Sequence, residues 1–598
     1  MAKHLFFLVL IVGTLLVRAV GADAAKPTDA PLGLWIWSAA PDDGARNVAV
    51  ERTGDTWRAT VNGEPASVAF SAGKLRLDAP GGERFVGALS QDGSTIAGHW
   101  RQPSTPLGYS TMVTHAVFSA VGDNRWADSI AAQPRPFRVY LDIFENDDGA
   151  LAAVVRNPER NEIMRTPQFR VEKDGPAAWA LVAGDGEHEI RRTLTEVAGG
   201  LLLDHAWFDA PLKMRRAQDA DLAGYYPRPP GPARYAPPER RDDGWMVTAP
   251  EEAGFDRAPL DALVADLART DPRAPRPRLI HAVLAAHKGR LFLEEYFYGY
   301  GRETPHDTRS LGKVFAPVLV GALRQQGAAI DGDVRPIPDL LAAAGLPTDD
   351  PRKNDITLAQ LMSFTSGLDC DVTDPDSLGS EDSMWGQQDE DDFWLYTARL
   401  PVRHEPGARY AYCSGSINLV GASLRAVGGE PIVDLFGALI AEPLQFGPYS
   451  WNLAPNGAAY LGGGVYMRPR DILKIGAVFA ANGQWKDEQV IDAAWVAEST
   501  TPVIDITPET TGMTPEAFAD NYFGGAAAYE WRIDTVTAGA RTYRSYEASG
   551  NGGQLLIVVP ALDLTVLFMG GNYRQGGIWG RWRNEIVGGH IIPAITER

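Results

Sequence analysis

The sequence predicts a multidomain protein: an N-terminal all-β barrel or sandwich, then a C-terminal α+β domain with an antiparallel sheet and a helical subdomain. Three observations lead to this prediction. Short strand-like runs fill the first third of the chain, and a proline-dense segment follows them. After that segment, helical spacing of apolar residues alternates with apolar strands. A length of 598 residues is also sufficient for two or more domains.

The composition is that of a globular protein with an acidic surface. Apolar residues make up 45% and charged residues 22%, which leaves ample material for hydrophobic cores. The net charge of −20 repels phosphate backbones, so it disfavours nucleic acid as a partner. The sequence contains no basic cluster that would bind lipid headgroups.

Residues 1–24 have the layout of a secretory signal peptide. A lysine near the start precedes an apolar run from Leu5 to Val17, and small residues follow at Ala22–Ala24. The run is too short to span a bilayer comfortably, and no later run approaches a membrane span. We expect a secreted or periplasmic mature chain without a transmembrane span; an uncleaved N-terminal anchor is the alternative.

Residues 28–224 are predicted to form the all-β domain. Runs such as "TWRATVNG", "KLRLDA", "FRVYLDIFEN" and "LAAVVRN" are separated by Gly, Asp and Asn turns at short spacing. A barrel of this kind can bind an apolar ligand in its mouth, as lipocalins do. It can equally serve as a packing module without a ligand.

The segment 225–247 is predicted to be a linker, and 248–598 the second domain. "YYPRPPGPARYAPPERRDDGW" holds six prolines between Tyr225 and Pro238, which makes it stiff. Next, "FDRAPLDALVADLART" has helical spacing with Asp256 as its N-cap. "LIHAVLAAHKGRLFLEEYFYGY" predicts two strands around a turn, and "LLIVVPALDLTVLFMGG" two more around Pro560.

The stretch "RSLGKVFAPVLVGAL" places Ser310 one helical turn before Lys313. A serine is a poor nucleophile until a base takes its proton, and a buried lysine with a lowered pKa can be that base. Taken alone, Ser-x-x-Lys is a weak signal, because a helix-capping serine before an exposed lysine has the same pattern.

Two further motifs strengthen the signal. "EPGARYAYCSGSINLVGASL" places Tyr412 about a hundred residues downstream, and "YEASGNGGQLLIVVP" places a Gly-rich turn before an apolar strand. In this order the three motifs resemble the serine β-lactamase and penicillin-binding-protein superfamily. The likeness is greatest to its class C branch of esterases, D-aminopeptidases and 6-aminohexanoate-dimer hydrolase. It covers roughly residues 249–598, and "ITLAQLMSFTSGLDC" and "GGGVYMRPRDILKIG" support it.

The resemblance implies a role for each motif residue. Ser310 would be the acylated nucleophile, and Lys313 and Tyr412 would share the duties of general base and acid. Ser414 stands where the family usually has asparagine, and it could bind Lys313 or substrate. No metal or organic cofactor is implied.

The Gly-rich turn would supply the oxyanion hole and substrate contacts. The family's Lys-Thr-Gly or His-x-Gly becomes Ala548, Ser549 and Gly550 here. The backbone N–H of Asn551 would join that of Ser310, and one such donor contributes roughly 3–4 kcal/mol to transition-state binding. Ala548 lacks the cation or imidazole that helps to bind a β-lactam carboxylate, which argues against an efficient β-lactamase.

Other features bear on this hypothesis. Pro317 should kink the nucleophile helix, since an interior proline lacks an N–H and costs about 3 kcal/mol. Neither G-x-S-x-G nor H-E-x-x-H occurs. His404 is interpreted as a surface-turn histidine rather than a base. The acidic stretch at residues 369–394 is compatible with a solvated loop, a cleft rim or a calcium loop.

The predicted function is an exported serine hydrolase that cleaves an ester or amide in a small-molecule or peptide-like substrate. A catalytically silent binding protein on the same fold, and a weak β-lactamase or D-amino-acid peptidase, are the alternatives. A ligand-carrying or anchoring role of the β domain is a third. The substrate and the oligomeric state stay open.

Cys370 and Cys413 are the only cysteines, and no pattern typical of structural zinc occurs. If the resemblance holds, both lie in the helical half of the catalytic domain near the cleft. In an oxidising compartment a bridge can persist, so we expect a Cys370–Cys413 disulfide. Two separate buried thiols are the alternative.

Overall fold

The computed structural model describes residues 30–39, 45–103, 111–130, 137–159, 168–186, 189–206, 208–229 and 231–596. The predicted signal peptide lies outside these ranges. Within them, no helix has both the length and the apolar character needed to cross a membrane.

The N-terminal region consists almost entirely of strands. They are β1 Gly33–Ser38, β2 Arg46–Thr53, β3 Thr56–Val61, β4 Glu64–Ser71, β5 Lys74–Asp78, β6 Arg84–Leu89, β7 Thr95–Gln102, β8 Met112–Gly122, β9 Arg125–Ile130, β10 Arg138–Glu145, β11 Leu151–Arg156, β12 Phe169–Gly175, β13 Ala178–Ala183, β14 Ile190–Val197, β15 Gly200–Leu203 and β16 Leu212–Arg216.

These strands form two separate barrels. The strands of the second barrel are inserted in the sequence of the first, between β1 and β10. Strands β1 and β10–β16 close the outer barrel, because β1 pairs with both β10 and β16. The chain leaves this barrel after β1, and β2–β9 close the inserted barrel, since β9 pairs with both β2 and β8. The predicted all-β region therefore contains two antiparallel barrels.

Apolar side chains fill the interior of both barrels. In the outer barrel, alternate residues of β10, Val139, Leu141 and Ile143, point into one core with Trp179. In the inserted barrel, Leu75 is fully buried within a second core. Strands that bury every second residue are typical of a closed sheet packed with side chains.

The proline-dense segment runs along the C-terminal domain after helix α1 (Asp219–Tyr225). Its Tyr235 side chain is buried and donates a hydrogen bond to the Phe292 carbonyl. Trp245 is also buried, and its indole N–H donates to the Arg470 carbonyl at 3.1 Å. The segment is thus fixed to the domain that follows it.

The C-terminal domain is built on a nine-stranded sheet with the order β17-β19-β18-β30-β29-β28-β27-β26-β25. The strands of the domain are β17 Met246–Val247, β18 Ile280–His287, β19 Arg290–Tyr296, β20 His306–Asp307, β21 Ser450–Asn452, β22 Tyr466–Met467, β23 Gln484–Trp485, β24 Glu488–Gln489, β25 Ile504–Asp505, β26 Ala526–Ala527, β27 Arg532–Ala538, β28 Arg541–Gly550, β29 Gln554–Val559 and β30 Leu564–Gly570.

Helices cover this sheet. They are α2 Arg257–Ala268, α3 Phe315–Gln325, α4 Pro336–Ala343, α5 Leu358–Met362, α6 Glu381–Gly386, α7 Phe393–Arg399, α8 Ser414–Gly428, α9 Ile432–Phe436, α10 Pro469–Ala480, α11 Ala493–Ser499, α12 Pro508–Thr511, α13 Pro515–Asn521 and α14 Gly576–Trp579. Short 3₁₀ helices span Arg309–Val314, Pro351–Asp355, Pro560–Leu562 and Ile592–Ala594, and π-helices span Gly437–Ala441 and Arg583–Ile591.

Both faces of the central sheet are buried, which explains why its strands read as continuous apolar runs. On β18, Leu284 packs with α10 and the helical subdomain. Its neighbour Val283 packs on the other face with α2 and the C-terminal helical segment. Asp256 caps α2 through the Ala258 N–H, as the sequence indicated. The predicted fold class, strands followed by an α+β domain, is confirmed.

A continuous β-ladder links the inserted barrel to the strand before Ser310. Strand β8 pairs with β21 in the register Thr114–Ser450 and Val113–Trp451. Strand β21 pairs with β22, and β22 pairs with β20, which ends three residues before Ser310. The barrel is therefore bonded directly to the framework that positions the nucleophile segment.

Candidate active site

The Ser310 and Lys313 side chains meet on the 3₁₀ helix Arg309–Val314. In a 3₁₀ helix, side chains three residues apart eclipse one another, so this geometry stacks the two residues more directly than an α-helix does. Lys313 Nζ donates a hydrogen bond to Ser310 Oγ at 2.9 Å. The predicted nucleophile and its predicted base are in direct contact.

Pro317 does not occupy the helix interior that the sequence indicated. Helix α3 begins only at Phe315, so Pro317 is its third residue. The first N–H groups of an α-helix have no intrahelical acceptor, and a proline in the first turn loses little. The helix changes from 3₁₀ to α just before Pro317. This change accommodates the proline, whereas the sequence predicts a kink there.

The turn that carries Ser310 is held by two glycines. Arg309 has a left-handed φ of 48°, a conformation that is costly for a residue with a side chain. A Cβ on Gly463 would lie 2.4 Å from the Arg309 carbonyl oxygen, and one on Gly550 would lie 2.5 Å from that of Thr308. Because a Cβ at either position would clash with the turn, only glycine fits at Gly463 and Gly550. The strained turn is therefore held between the backbones of these two glycines.

Lys313 is fully buried, with 0% of its surface exposed. Its Nζ donates a second hydrogen bond to the Gly462 carbonyl at 2.6 Å. Burial lowers the pKa of Lys313, while the charges of Glu381 and Glu530 oppose that change. A lysine of this kind more readily holds a free amine that can accept the serine proton.

Tyr412 stands two residues before α8. Lys313 Nζ lies 5.0 Å from the centre of its ring. Burial and the charge of Glu530 raise the pKa of Tyr412 well above its usual value, and a hydrogen bond with Ser310 counteracts the rise. Tyr412 is therefore a protonated phenol next to the nucleophile, which suits a general acid.

A disulfide joins Cys370 and Cys413 beside this tyrosine. Their Cα atoms are 5.3 Å apart. The Val372 N–H donates to the Tyr412 carbonyl at 3.0 Å, so the acidic loop and the tyrosine segment are joined by both a covalent bond and a hydrogen bond. The bridge thus restrains the backbone that carries Tyr412.

Ser310 opens into a cleft of about 350 Å³. The cleft is lined by Arg309, Ser310, Val372, Ser380, Glu381, Asp382, Trp385, Asn452, Tyr460, Gly462, Gly463, Gly464, Asn551 and Arg574. Ser310 and Asn551, whose backbone N–H groups were predicted to form the oxyanion hole, both line it. Five of the lining residues, Val372 and four between Ser380 and Trp385, come from the acidic stretch, which therefore forms one rim of the cleft.

The other predicted binding residues lie around this cleft rather than within it. Ser549 and Gly550 end strand β28, and Ser549 faces a smaller pocket behind Tyr412. Ser414 is buried at the start of α8. It is not a ligand of Lys313, whose hydrogen bonds go to Ser310 and Gly462. The role proposed for Ser414 as a Lys313 partner is not supported by this geometry.

Several site residues were missed by sequence reasoning. Gly462 accepts from Lys313, and Asn452 donates to the Gly464 carbonyl at 2.8 Å, which fixes the Gly-Gly-Gly turn beside the nucleophile. The triple glycine was a visible signal for this turn. Tyr460 donates to Glu381 Oε1 at 2.9 Å across the cleft, a contact without a sequence motif.

Two alternative assignments, His404 as a base and a calcium loop in residues 369–394, receive no support from the geometry. His404 is not among the cleft-lining residues. Within the described ranges, no group of three or more His, Cys, Asp or Glu side chains is arranged to hold a metal ion.

The comparison with known proteins agrees with this geometry. Residues 278–570 match the family model described as Beta-lactamase. No curated protein sequence matches the chain. Many solved structures are similar, among them the following three at low identity. A protein described as a β-lactamase from Bacteroides dorei is 17% identical, with a TM-score of 0.41, over 57% of this chain and 100% of that one.

A protein described as a 6-aminohexanoate-dimer hydrolase from Bacillus anthracis is 17% identical, with a TM-score of 0.40, over 49% of this chain and 74% of that one. A family VIII carboxylesterase is 18% identical, with a TM-score of 0.38, over 49% and 86%. The family match confirms the predicted resemblance to the serine β-lactamase and penicillin-binding-protein superfamily, and the C-terminal domain is β-lactamase-like.

Proposed function

We propose that the protein is a serine hydrolase that cleaves an ester or an amide through an acyl-enzyme on Ser310. The observation that carries this proposal is the 2.9 Å hydrogen bond between Ser310 Oγ and the fully buried Lys313 Nζ. Burial lowers the pKa of that lysine. A lowered pKa suits a general base, whereas a lysine with only a structural role does not require one.

Acylation follows from the positions of three side chains. Lys313 Nζ takes the proton of Ser310 as Oγ bonds to the substrate carbonyl carbon, and the carbonyl oxygen becomes an oxyanion. The N–H groups of Ser310 and Asn551 bind that oxyanion. When the intermediate collapses, the bond to the leaving group breaks, and Tyr412 donates its proton to the departing oxygen or nitrogen. The Lys313 ammonium then returns a proton to Tyr412 and becomes an amine again.

Deacylation repeats these steps with water as the nucleophile. Lys313 takes a proton from the water as its oxygen bonds to the acyl carbon. The bond from that carbon to Ser310 Oγ then breaks, Oγ regains a proton, and the carboxylic acid product leaves. Both half-reactions use the same base and the same oxyanion donors, so no further group is needed.

We propose that the site prefers esters and amides to β-lactams. Ala548 on β28 is 1% exposed and provides no cation for a β-lactam carboxylate. We therefore expect nitrocefin to be hydrolysed with a lower kcat/KM than p-nitrophenyl esters. A kcat/KM for nitrocefin equal to that for simple esters would refute the preference.

The test of the proposed function is covalent labelling. A fluorophosphonate probe should modify the wild-type protein at Ser310, and peptide mass spectrometry would identify the modified residue. Ser310→Ala should abolish labelling and ester turnover while the thermal unfolding transition remains. Labelling of another serine, or none in a folded wild-type protein, would favour a silent binding protein instead.

We further propose that the chain is exported and that residues 1–24 are removed. The support is the lysine and apolar run at the N-terminus, together with a disulfide of the kind that persists in oxidising compartments. N-terminal sequencing of the protein recovered from a periplasmic or culture fraction tests this. A chain that stays in the cytosol and begins at residue 1 would contradict it.

A further inference from the structure

Glu530 is a buried acid next to the site that the catalytic steps above do not use. It is 8% exposed and lies between strands β26 and β27. Its Oε2 atom is buried and has no hydrogen-bond partner within the described part of the chain. A buried carboxyl oxygen without a partner is costly, so its presence requires an explanation.

The backbone of Glu530 adds to this cost. Its φ of 65° lies in the left-handed region, which favours glycine. Its N–H donates to the Met362 carbonyl at 2.8 Å, which ties this conformation to the helical subdomain. Strain of this kind is typical of functional sites. A glycine would suit this backbone conformation better than a glutamate. The presence of a glutamate therefore suggests that its carboxyl group has a role.

Glu530 lines a pocket of about 60 Å³ behind the catalytic tyrosine. The pocket is also lined by Tyr410 and Tyr412 and by Ser549. Two charged residues share it, Arg532 and Glu547, but they pair with each other at 2.8 Å. Tyr412 connects this pocket to the lysine, because its ring lines the pocket and also lies 5.0 Å from Lys313 Nζ.

We propose that Glu530 is a positioning residue of this site, whose carboxyl group is the counter-ion of the ammonium that Lys313 becomes on taking the Ser310 proton. The inference rests on the proposed function. During acylation the Ser310 O–H bond breaks and its proton binds Lys313 Nζ, while Oγ bonds to the acyl carbon. Positive charge thus appears on a fully buried nitrogen, where a nearby carboxylate lowers its energy.

The charges that face the two groups agree with this role. Burial raises the pKa of Glu530 well above its usual range and favours the protonated carboxyl, whereas the charge of Lys313 lowers that pKa, so protonation of Lys313 favours the carboxylate. The charges of Glu381 on α6 and of Glu530 raise the pKa of Lys313, and the charge of Arg309 on its own helix lowers it. Glu530 also raises the pKa of Tyr410 and Tyr412. Loss of Glu530 should therefore make the Lys313 ammonium less stable and lower its pKa.

The experiment is the pH dependence of probe labelling at Ser310. The rate constant for a fluorophosphonate is measured from pH 5 to pH 10 for the wild type, Glu530→Gln and Glu530→Gly. In the wild type the rate should rise as Lys313 loses its proton. In both variants the midpoint of that rise should move to lower pH by about half a unit or more.

Controls separate this role from a structural one. Glu530→Gly suits the left-handed backbone and keeps the test available if glutamine disturbs folding. Glu498→Gln removes the same charge from α11, where Glu498 accepts a hydrogen bond from Tyr529, and should leave the midpoint unchanged. Unchanged midpoints in both Glu530 variants, with only a lower maximal rate, would overturn the inference and leave the proposed function intact. A folded wild type that is not labelled would overturn both.

Discussion

Thr114 of the inserted barrel and Ser450 of the catalytic domain share a buried hydrogen bond of 2.8 Å between their hydroxyl oxygens. The two residues are 336 positions apart in the chain and are register partners in the β8–β21 ladder. The ladder continues through β22 to β20 and the turn of Ser310. An element with no catalytic motif is thus part of the framework of the active site.

This contact predicts a measurable cost. Thr114→Val keeps the shape of the side chain but leaves the Ser450 hydroxyl buried without a partner. We expect the free energy of unfolding to fall by about 1–3 kcal/mol. Urea denaturation followed by tryptophan fluorescence measures it. The double variant Thr114→Val/Ser450→Ala removes both hydroxyl groups and should recover part of the loss. A double variant that loses the sum of both single effects would show that the hydroxyl pair is not coupled.

The contact within the Ser-x-x-Lys motif was predictable from the sequence, whereas the surroundings of the motif were not. Ser310 and Lys313 are three residues apart, so local helix geometry alone brings them together. The two-barrel arrangement depends on β1 pairing with β10 after about a hundred intervening residues, and strand periodicity does not encode such pairing. Glu530 lines the pocket behind Tyr412 only because the loop before β27 returns to the helical subdomain, where its N–H binds the Met362 carbonyl. Of the two partners that the sequence allowed for Ser414, Lys313 or substrate, the structure does not show Lys313, whose hydrogen bonds go to Ser310 and Gly462.

The clamp around the nucleophile predicts that Gly550→Ala impairs acylation. The added Cβ would lie 2.5 Å from the Thr308 carbonyl oxygen and 3.0 Å from the Leu311 nitrogen, so the turn that carries Ser310 must move. A displacement of about 1 Å in a reacting group can cost about 100-fold in rate. We expect at least a tenfold slower reaction of Ser310 with a fluorophosphonate probe.

A matched glycine provides the control for this prediction. A Cβ added to Gly577 in α14 would meet no other described part of the chain within 4 Å, so Gly577→Ala should react at the wild-type rate. Wild-type labelling of Gly550→Ala would show that the turn relaxes without cost.

The disulfide predicts a loss of stability on reduction. Cys370 and Cys413 are 43 positions apart, and the chain-entropy argument assigns about 4 kcal/mol to a loop of this length. Thermal unfolding with and without a phosphine reductant should show a lower Tm for the reduced wild type. The Cys370→Ala/Cys413→Ala variant should unfold at the lower temperature under both conditions. A wild-type Tm that does not respond to reductant under denaturing pre-incubation would contradict a stabilising bridge.

The interface between the inserted barrel and the catalytic domain should weaken in acid. His115 on β8 stacks on Tyr449 with parallel rings 5.3 Å apart. Burial, and then the neighbouring His99, lowers the pKa of His115 from 6.5 to about 4. Between these values the unfolded chain binds a proton that the folded chain does not bind. The stabilisation is therefore complete above pH 6.5 and is lost as the pH falls towards 4, by at most about 3 kcal/mol.

Chemical denaturation at pH 7 and pH 5 tests this prediction in the wild type and in His115→Phe. Phenylalanine keeps a ring over Tyr449 but cannot be protonated, so the loss of stability between the two pH values should be smaller in the variant. The wild-type loss also includes His205 of the outer barrel, whose pKa burial likewise lowers to about 4, so the difference between the proteins is the relevant quantity. Equal pH dependence in both would mean that His115 is protonated as readily in the folded protein as in the unfolded chain, and that the interface does not sense acid through this residue.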